Sequence, residues 1–420
     1  MSEERIVVGL DVGTSKVVAL VGSVGAAGRI EILGSGIEES RGINRGTIID
    51  VAQATKAIEA ARRKAERASQ FELGRAFVSV AGKHISSINS TGVTGLTSSR
   101  GVVEAEDIER ALEAARAVAL PHNREVIHVI PRSFTVDGQE GIRNPLGLHA
   151  YRLEVEAHII TAASSTLRNM EKAVNEAGLI VDRFVLNPIA AAEEVLTEAE
   201  RESGVVVVDV GGGTTDVAVL IEDTIWHTAV IELGGNHITS DIAQVLHLPP
   251  AEAERIKVEY GNSDPGTITQ EQAFTVQPFG EDRPVQVLVH DLARIIEARV
   301  DEIFTHVLQE LKRSGYDGLL PAGLVLTGGT ANMPNIRSNA SRVLHLPARI
   351  GAPSQITGMV DKLRDPAYAT TVGLLSFARN VDTSAQRSRR ARRDRRDRPR
   401  PEIGKTITDF LGRLLPDDEK

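Results

Sequence analysis

Two glycine-rich turns, each directly after a short apolar run, constrain the fold of this 420-residue chain most strongly. Residues 11–16 (DVGTSK) follow the apolar run 6–10, and residues 209–216 (DVGGGTTD) follow the all-valine run 205–208. Apolar runs of this length predict strands, and a run of valines is typical of a central strand buried on both faces. Each turn therefore stands at the carboxyl end of a predicted strand.

The two turns share a chemistry that suits phosphate. Glycine lets the backbone approach an anion closely, so that N–H groups point at its oxygens, and Thr or Ser hydroxyls add donors. Asp11 and Asp209 stand at the strand ends, where a carboxylate beside phosphate needs a divalent cation, naturally Mg²⁺, between them. The predicted phosphate-binding residues are Gly13, Thr14, Ser15, Lys16, Gly211, Gly212, Gly213 and Thr214.

A pair of ordinary β-turns, in which Gly and Asp are common, is the alternative interpretation of these segments. Two Asp-x-Gly turns about two hundred residues apart favour instead two halves of a duplicated fold that face one another. Neither turn is GxxxxGK followed by Ser or Thr, and neither is a GxGxxG that opens a helix, so P-loop and Rossmann sites are excluded here. Strands and helices alternate through the rest of the body, which predicts an α/β fold.

A third glycine turn and a charged helix complete the predicted site. The turn, residues 327–334, follows the apolar run 324–326, and its glycines suit a flat ligand such as adenine with its ribose. In the predicted helix 251–260, Glu254 and Lys257 share a face, where they either contact ribose hydroxyls or form a solvated surface pair. The candidate residues of the turn are Gly328, Gly329, Thr330 and Asn332.

Composition narrows the function classes. The chain has no Cys, which excludes disulfides, thiolate nucleophiles and Cys-based zinc sites, and its eleven His show no metal-ligand spacing. Aromatic residues make up 3% and the formal net charge is −9, so nucleic-acid binding is not expected. No run reaches the roughly 18 uncharged apolar residues of a spanning helix, and the start has no secretory pattern. We therefore expect a cytoplasmic protein whose contact with a membrane is peripheral.

The four site elements, in this order, resemble the actin-like ATPase superfamily of actin, the MreB-type proteins and the DnaK-type chaperones. The three turns match its phosphate-1, phosphate-2 and adenosine motifs. Residues 187–192 (NPIAAA) and 367–375, which include Gly373, are similar to its two connecting helices, where small residues let the lobes cross closely.

Within that superfamily the chain resembles the bacterial cell-division family FtsA over nearly its whole length, most specifically in the loop 129–147 and the following 158–161. The resemblance implies two lobes around a nucleotide cleft, with a small subdomain inserted in the first lobe. The implied ranges are 1–83, 161–200 and about 366–380 for core subdomain 1A, 84–160 for the inserted subdomain 1C, 201–228 and 300–365 for core subdomain 2A, and 229–299 for subdomain 2B with the adenosine-contacting helix.

The resemblance also implies how the site works. ATP lies between the lobes, and Asp11 and Asp209 position Mg²⁺ through water. The base that polarises an attacking water stays open among Asp209, Asp216 and Glu193. Proteins of this family are poor ATPases, so at most weak hydrolysis is expected, and ATP serves chiefly to hold the lobes together and to switch a polymer.

The end of the chain has a separate organisation. Residues 385–400 hold nine Arg and two Asp, which predicts a disordered, solvated linker over 381–401. The predicted helix 402–416 places its large apolar residues within an arc of about 140°, the pattern of an in-plane membrane anchor. Docking on the protein's own body or in a partner's groove are the alternatives. The apolar residues are Ile403, Ile407, Phe410, Leu411, Leu414 and Leu415.

The resemblance implies a protein of the division septum that polymerises on the cytoplasmic face of the membrane. Its implied partners are further copies of the chain, anionic lipids, filaments of the tubulin-like protein FtsZ and other division proteins. A pilus-assembly relative is the nearest rival, although it should lack the terminal helix and the linker. A metabolite kinase would need a catalytic Asp base and a substrate cleft in the first lobe, and a DnaK-type chaperone would need a β-rich substrate domain after the body.

Overall fold

The computed structural model of the chain describes residues 5–25, 29–97, 101–117, 121–269 and 271–393, with side chains as far as residue 381. Within these residues, two large sheets form the cores of two lobes, and a third sheet belongs to an inserted unit.

The first lobe begins with three antiparallel strands that contain the first turn. β1 pairs with β2 and β2 with β3, while β6 lies parallel to β1 on its other side. The N–H of Gln53 donates to the Asp50 side chain at 3.0 Å, which caps the long helix that packs on this sheet. The elements are β1 (Arg5–Val12), β2 (Lys16–Val24), β3 (Ile30–Glu39), β4 (Ile43–Asn44), β5 (Thr47–Ile48), α1 (Val51–Ser69) and β6 (Arg75–Val80).

The inserted unit is a four-stranded antiparallel sheet covered by one helix, with strand order β7-β10-β8-β9. The helix buries Ile108, Leu112 and Ala115, which their spacing of four and three residues places on one helical face, against the sheet. The elements are β7 (Ile85–Gly95), α2 (Ala105–Arg116), β8 (Arg124–Val136), β9 (Gln139–Ile142) and β10 (Arg152–Ala163).

The chain then returns to the first lobe, where β11 lies parallel to β6 at the edge of the sheet. Gly178 has φ +83°, as expected for the residue that ends the preceding helix. The elements are α3 (Ser164–Glu176), β11 (Ile180–Leu186), α4 (Asn187–Val195) and α5 (Glu198–Ser203).

The second lobe repeats the strand pattern of the first around the second turn. β12, β13 and β14 are antiparallel, β17 lies parallel to β12, and every residue of β12 is buried. The elements are β12 (Val205–Val210), β13 (Thr215–Ile221), β14 (Thr224–Ile231), α6 (Gly235–Val245), α7 (Pro250–Tyr260), β15 (Ala273–Val276), β16 (Val285–Leu288), α8 (Val289–Ser314), β17 (Leu324–Thr327), α9 (Ile336–Leu344) and β18 (Ala348–Ile350).

Two last elements connect the lobes. β19 (Ile356–Gly358) falls in the range expected for the second-lobe core, yet it pairs with β3 of the first lobe, and Ile356 is buried in a cluster with residues of both lobes. The helix α10 (Ala369–Arg393) crosses α4 so closely that a Cβ on Gly373 would lie 1.9 Å from the carbonyl oxygen of Ala190. This crossing explains the small residues in the two connecting segments.

The helix α10 also corrects one expectation. Its backbone is helical as far as Arg393, so the prediction of a disordered linker is wrong for 381–393. Low hydrophobicity prevents this stretch from forming a core, but Arg, Ala and Gln are good helix formers that can extend a helix whose first turns are already buried. The rest of the predicted linker, 394–401, and the predicted helix 402–416 lie outside the described residues.

Candidate functional site

The three glycine turns line one cavity of about 380 Å³ between the lobes. This cavity brings together all the residues that the sequence predicts to bind phosphate, adenosine or metal. They are Asp11, Gly13, Thr14, Ser15, Lys16, Asp209, Gly211, Gly212, Gly213, Thr214, Glu254, Lys257, Gly328, Gly329, Thr330 and Asn332.

The two phosphate turns have the same internal geometry and face one another. In each, the first glycine donates its N–H to a carbonyl three residues on, at 3.1 Å for Gly13 and 2.9 Å for Gly211. The Ser15 hydroxyl lies so near Gly212 that a Cβ there would be 2.2 Å from its oxygen. Only glycine therefore allows the second turn to approach the first this closely.

Three buried carboxylates belong to the lining. Asp209 lies opposite Asp216 in the β12–β13 pair, and burial together with the charge of Asp209 raises the pKa of Asp216. Burial raises the pKa of Asp209 to about 6, a hydrogen bond from Thr370 opposes this rise, and the charge of Asp11 adds to it. Such a concentration of negative charge suits a cation.

Lys16 lies between these carboxylates and an aromatic ring. Its Nζ is 3.5 Å from the centre of the Tyr368 ring, a cation–π contact. Burial lowers the pKa of Lys16, while the charges of Asp11, Asp365 and Asp209 act in the opposite direction. A cation at this point compensates the acidic lining and could also compensate phosphate charge.

The charged helix α7 faces the cavity. Lys257 Nζ donates to Glu254 Oε2 at 2.6 Å, to Thr239 Oγ1 at 2.8 Å and to the Gly235 carbonyl at 3.2 Å. The Lys257 side chain is only 11% exposed. The Glu254 side chain is 47% exposed, so the pair lies at the cavity with its cation buried and its carboxylate partly open to solvent.

The third turn is tied to the other elements of the site. Gly328 has φ +89°, and a Cβ there would lie 2.3 Å from Asp209 Oδ1. The Thr330 hydroxyl donates to the Gly211 carbonyl at 3.0 Å, and Asn332 Nδ2 donates to Asp365 Oδ1 at 2.8 Å.

Glu193 lies elsewhere, and its prediction as a base at this site is wrong. It lines a second cavity of about 340 Å³, where its carboxylate accepts from Asn380 at 2.8 Å and lies 3.5 Å from Arg201. Asn187 begins α4 at the first cavity, and six residues along a helix carry the chain about 9 Å further. Asp209 and Asp216 remain the candidate bases in the lining.

Sequence reasoning missed several lining residues, among them Asn187, Asn236 and Thr370. Asn187 had a signal, because it directly precedes the proline and small residues of the first connecting segment. Thr370 had none, since it stands 161 positions from the carboxylate to which it donates. Among the described residues, Asn187 Oδ1 and Asp216 Oδ1 are buried oxygens without a hydrogen-bond partner.

The lining fits a nucleotide that arrives with Mg²⁺. The glycine turns leave room for phosphate, because they bring backbone rather than side chains to the cavity. No group of three or more His, Asp or Glu in the described ranges is arranged to hold a metal by itself. Mg²⁺ is commonly bound through one or two carboxylates together with phosphate oxygens and water, as this lining would require.

Sequence comparison relates the chain to bacterial cell-division proteins. The family model "Cell division protein FtsA" matches residues 206–373, and the model "SHS2 domain inserted in FTSA" matches residues 82–161. The chain is 42% identical to the cell division protein FtsA of Pseudomonas aeruginosa over 89% of each chain, and 36% identical to that of Bacillus subtilis over 90% of this chain and 84% of the relative. The chain belongs to the FtsA family.

Membership of the FtsA family confirms the resemblance seen in the sequence and assigns the protein to cell division. Solved structures share its fold. The PilM–PilN type IV pilus biogenesis complex matches with a TM-score of 0.63 at 15% identity over 90% of this chain and 99% of the other. MreB5 of Spiroplasma citri bound to ADP matches with a TM-score of 0.56 at 15% identity over 91% and 98%.

At these identities the structural likeness concerns the fold alone. It confirms the predicted actin-like ATPase fold of this FtsA-family chain. None of the helices in the described ranges has the length and apolar character to cross a bilayer. The residues predicted to contact a membrane, Ile403, Ile407, Phe410, Leu411, Leu414 and Leu415, lie outside the described residues.

Proposed function

We propose that this FtsA-family protein binds ATP with Mg²⁺ between its lobes. The observation that carries the proposal is the meeting of two Asp-x-Gly turns, one from each lobe, on a single cavity. Thr14, Ser15 and Lys16 hold phosphate from one side, and the glycines of the second turn hold it from the other. Asp11 and Asp209 would hold Mg²⁺, which would supply neutralisation of the phosphate charge.

The adenosine would lie between the third turn and α7. The Glu254 carboxylate accepts from ribose hydroxyls, and Lys257 donates from the same face. Because the ligand contacts both lobes, its binding energy favours the closed arrangement. Asp209 and Asp216, which line the cavity, are the candidates to polarise an attacking water there, with hydrolysis expected to be weak.

We further propose that residues 402–416 fold as an amphipathic helix on the cytoplasmic face of the membrane. A helix this short is marginal in water, and Gly404 and Gly412 weaken it, so it forms on lipid. Burying six large apolar side chains in lipid contributes about 10 kcal/mol of favourable free energy. The entropy lost when the helix is ordered and associates with the membrane offsets much of this contribution. The neighbouring arginines add attraction to anionic lipids.

One such helix binds weakly, so stable attachment requires many copies. Copies aligned on a filament raise the effective concentration of each helix at the membrane. The protein thus polymerises with ATP at the septum, anchors FtsZ filaments there and recruits other division proteins. Membership of the cell-division family supports this role, whereas the likeness to the PilM–PilN complex is one of fold alone.

Co-sedimentation with vesicles of mixed anionic and zwitterionic lipid tests the anchor. The wild type should pellet with vesicles, more completely with ATP and Mg²⁺ than without nucleotide. Phe410→Glu places a charge in the apolar arc and should abolish pelleting. Thr406→Glu introduces the same charge on the polar side of the helix and should retain most of it.

A chain truncated after residue 401 provides a second comparison, because it keeps the whole of α10. Pelleting of this chain at the wild-type level would contradict the anchor. Equal pelleting of the wild type with and without ATP would contradict the polymer switch and leave the anchor standing.

A further inference from the structure

We propose that Thr370 and Thr371, adjacent residues at the start of α10, are positioning residues that orient the Asp209 and Asp11 carboxylates to accept Mg²⁺ with a nucleotide. The inference rests on the proposed nucleotide function and deepens it. Neither Thr belongs to a glycine turn, and both act through the carboxylates rather than through the reacting atoms.

The two hydroxyls contact one carboxylate of each lobe. Thr370 Oγ1 donates to Asp209 Oδ2 at 2.6 Å, and Thr371 Oγ1 donates to Asp11 Oδ2 at 3.0 Å. Asp11 belongs to β1 of the first lobe and Asp209 to β12 of the second. One dipeptide at the beginning of a helix therefore joins the acidic groups of the two Asp-x-Gly turns.

All four side chains are buried, so bulk water cannot replace these hydrogen bonds. The exposed fraction is 6% for Thr370, 0% for Thr371, 8% for Asp11 and 7% for Asp209. Hydrogen bonds to ionised groups are stronger than neutral ones, and a low dielectric strengthens them further. The geometry of these bonds therefore determines how each carboxylate is turned.

The other carboxylate oxygens show how closely the orientation is defined. Ser79 Oγ donates to Asp11 Oδ1 at 2.7 Å, so both oxygens of Asp11 have a donor. The backbone of Gly328 lies close to Asp209 Oδ1, since a Cβ added at Gly328 would be 2.3 Å from this oxygen. Rotation of either carboxylate would therefore break a hydroxyl contact.

The test measures binding of a fluorescent N-methylanthraniloyl-ATP to the full-length protein, once with excess Mg²⁺ and once with EDTA. Thr370→Val and Thr371→Val remove the hydroxyls and keep the side-chain shape. Each should weaken affinity about tenfold in Mg²⁺, the scale of a hydrogen bond to a charged group, and change it little in EDTA. Thr370→Ser and Thr371→Ser restore the donor and should bind as the wild type does.

Ser376→Ala is the matched control on the same helix. The Ser376 hydroxyl donates to Glu194 Oε2 at 2.8 Å, in a buried contact that does not line the nucleotide cavity. Its loss should leave the affinity in Mg²⁺ unchanged.

Two results would overturn the inference: wild-type affinity of the Val variants in Mg²⁺, or equal losses in Mg²⁺ and in EDTA, which would indicate a purely structural contact. Failure of the proposed function itself would look different, because the wild type would then show no binding, or no dependence on Mg²⁺.

Discussion

The buried side chain of His128 makes its contacts only in the neutral form. His128 is buried beside α10, and its Nε2 accepts the backbone N–H of Leu186 at 3.1 Å. Burial, followed by the charge of Arg183, lowers the pKa of His128 to about 3. A protonated ring would lose this acceptor and carry a charge in an apolar setting.

The free energy of unfolding should therefore fall as the pH is lowered below about 6.5. The unfolded chain takes up a proton at His128 there and the folded chain does not, so the contribution present above pH 6.5 is lost on the way towards pH 3. At pH 5 this group alone should account for about 2 kcal/mol. Urea unfolding of the wild type and of His128→Gln at pH 7.5 and pH 5 measures the difference.

The glutamine keeps an acceptor for the Leu186 N–H but does not titrate. The free energy of unfolding should therefore fall by about 2 kcal/mol less in the variant than in the wild type between pH 7.5 and pH 5. His122→Gln, at an exposed position, should follow the wild type. An unchanged pH dependence in His128→Gln would show that His128 is not the group responsible.

The helices α4 and α10 pack closely against one another where the lobes meet. Gly373 has no side chain, which lets α10 approach the backbone of α4 at Ala190. The same helix carries the two Thr that contact Asp11 and Asp209, and its backbone continues to Arg393.

Replacing Gly373 by Ala should destabilise the protein, although Ala is normally the better residue inside a helix. The added Cβ would collide with the Ala190 carbonyl, and the resulting separation of the helices should cost about 1–3 kcal/mol. Thermal unfolding monitored by circular dichroism measures the effect. Gly318→Ala, where the added Cβ would meet nothing within 4 Å, is the control, and equal midpoints for the two variants would contradict the close crossing.

In the molecule as a whole, the inserted unit contacts both lobes. The guanidinium carbon of Arg132, on β8, lies 4.3 Å from the ring centre of Trp226 on β14, and its Nη2 donates to the Tyr316 hydroxyl at 2.8 Å. On the same interface, the His158 Nε2 is 3.0 Å from the Thr228 hydroxyl. The inserted unit is thus held to the second lobe as well as to the first, into which its chain ends lead.

Trp226 is the one Trp of the chain, so its fluorescence reports on this interface. Arg132→Ala should admit water beside the indole, shift its emission to longer wavelength and increase quenching by iodide. Arg152→Ala, which removes an exposed arginine from the same sheet, should leave both unchanged. Identical spectra for the wild type and Arg132→Ala would show that the cation does not shield Trp226 in solution.

Local patterns in the sequence predicted the strands that lead into the three turns, the turns themselves and the turn residues that line the cavity. This was feasible because glycine, aspartate and alternating or continuous apolar runs act on the backbone within a few residues. The spacing of Ile108, Leu112 and Ala115 likewise places them on the buried face of α2, since the helical period alone sets which residues share a face. Resemblance to a known family then supplied the order of the lobes.

Only the tertiary structure decided contacts between segments distant in the chain. Thr370 and Thr371 reach carboxylates 161 and 360 positions away, and no local rule specifies such a pairing. The rise of α4 separates Glu193 from the cavity, and the burial of Lys257 depends on what packs against α7. A sequence states which groups a chain possesses, whereas the packing of its elements determines which of those groups meet.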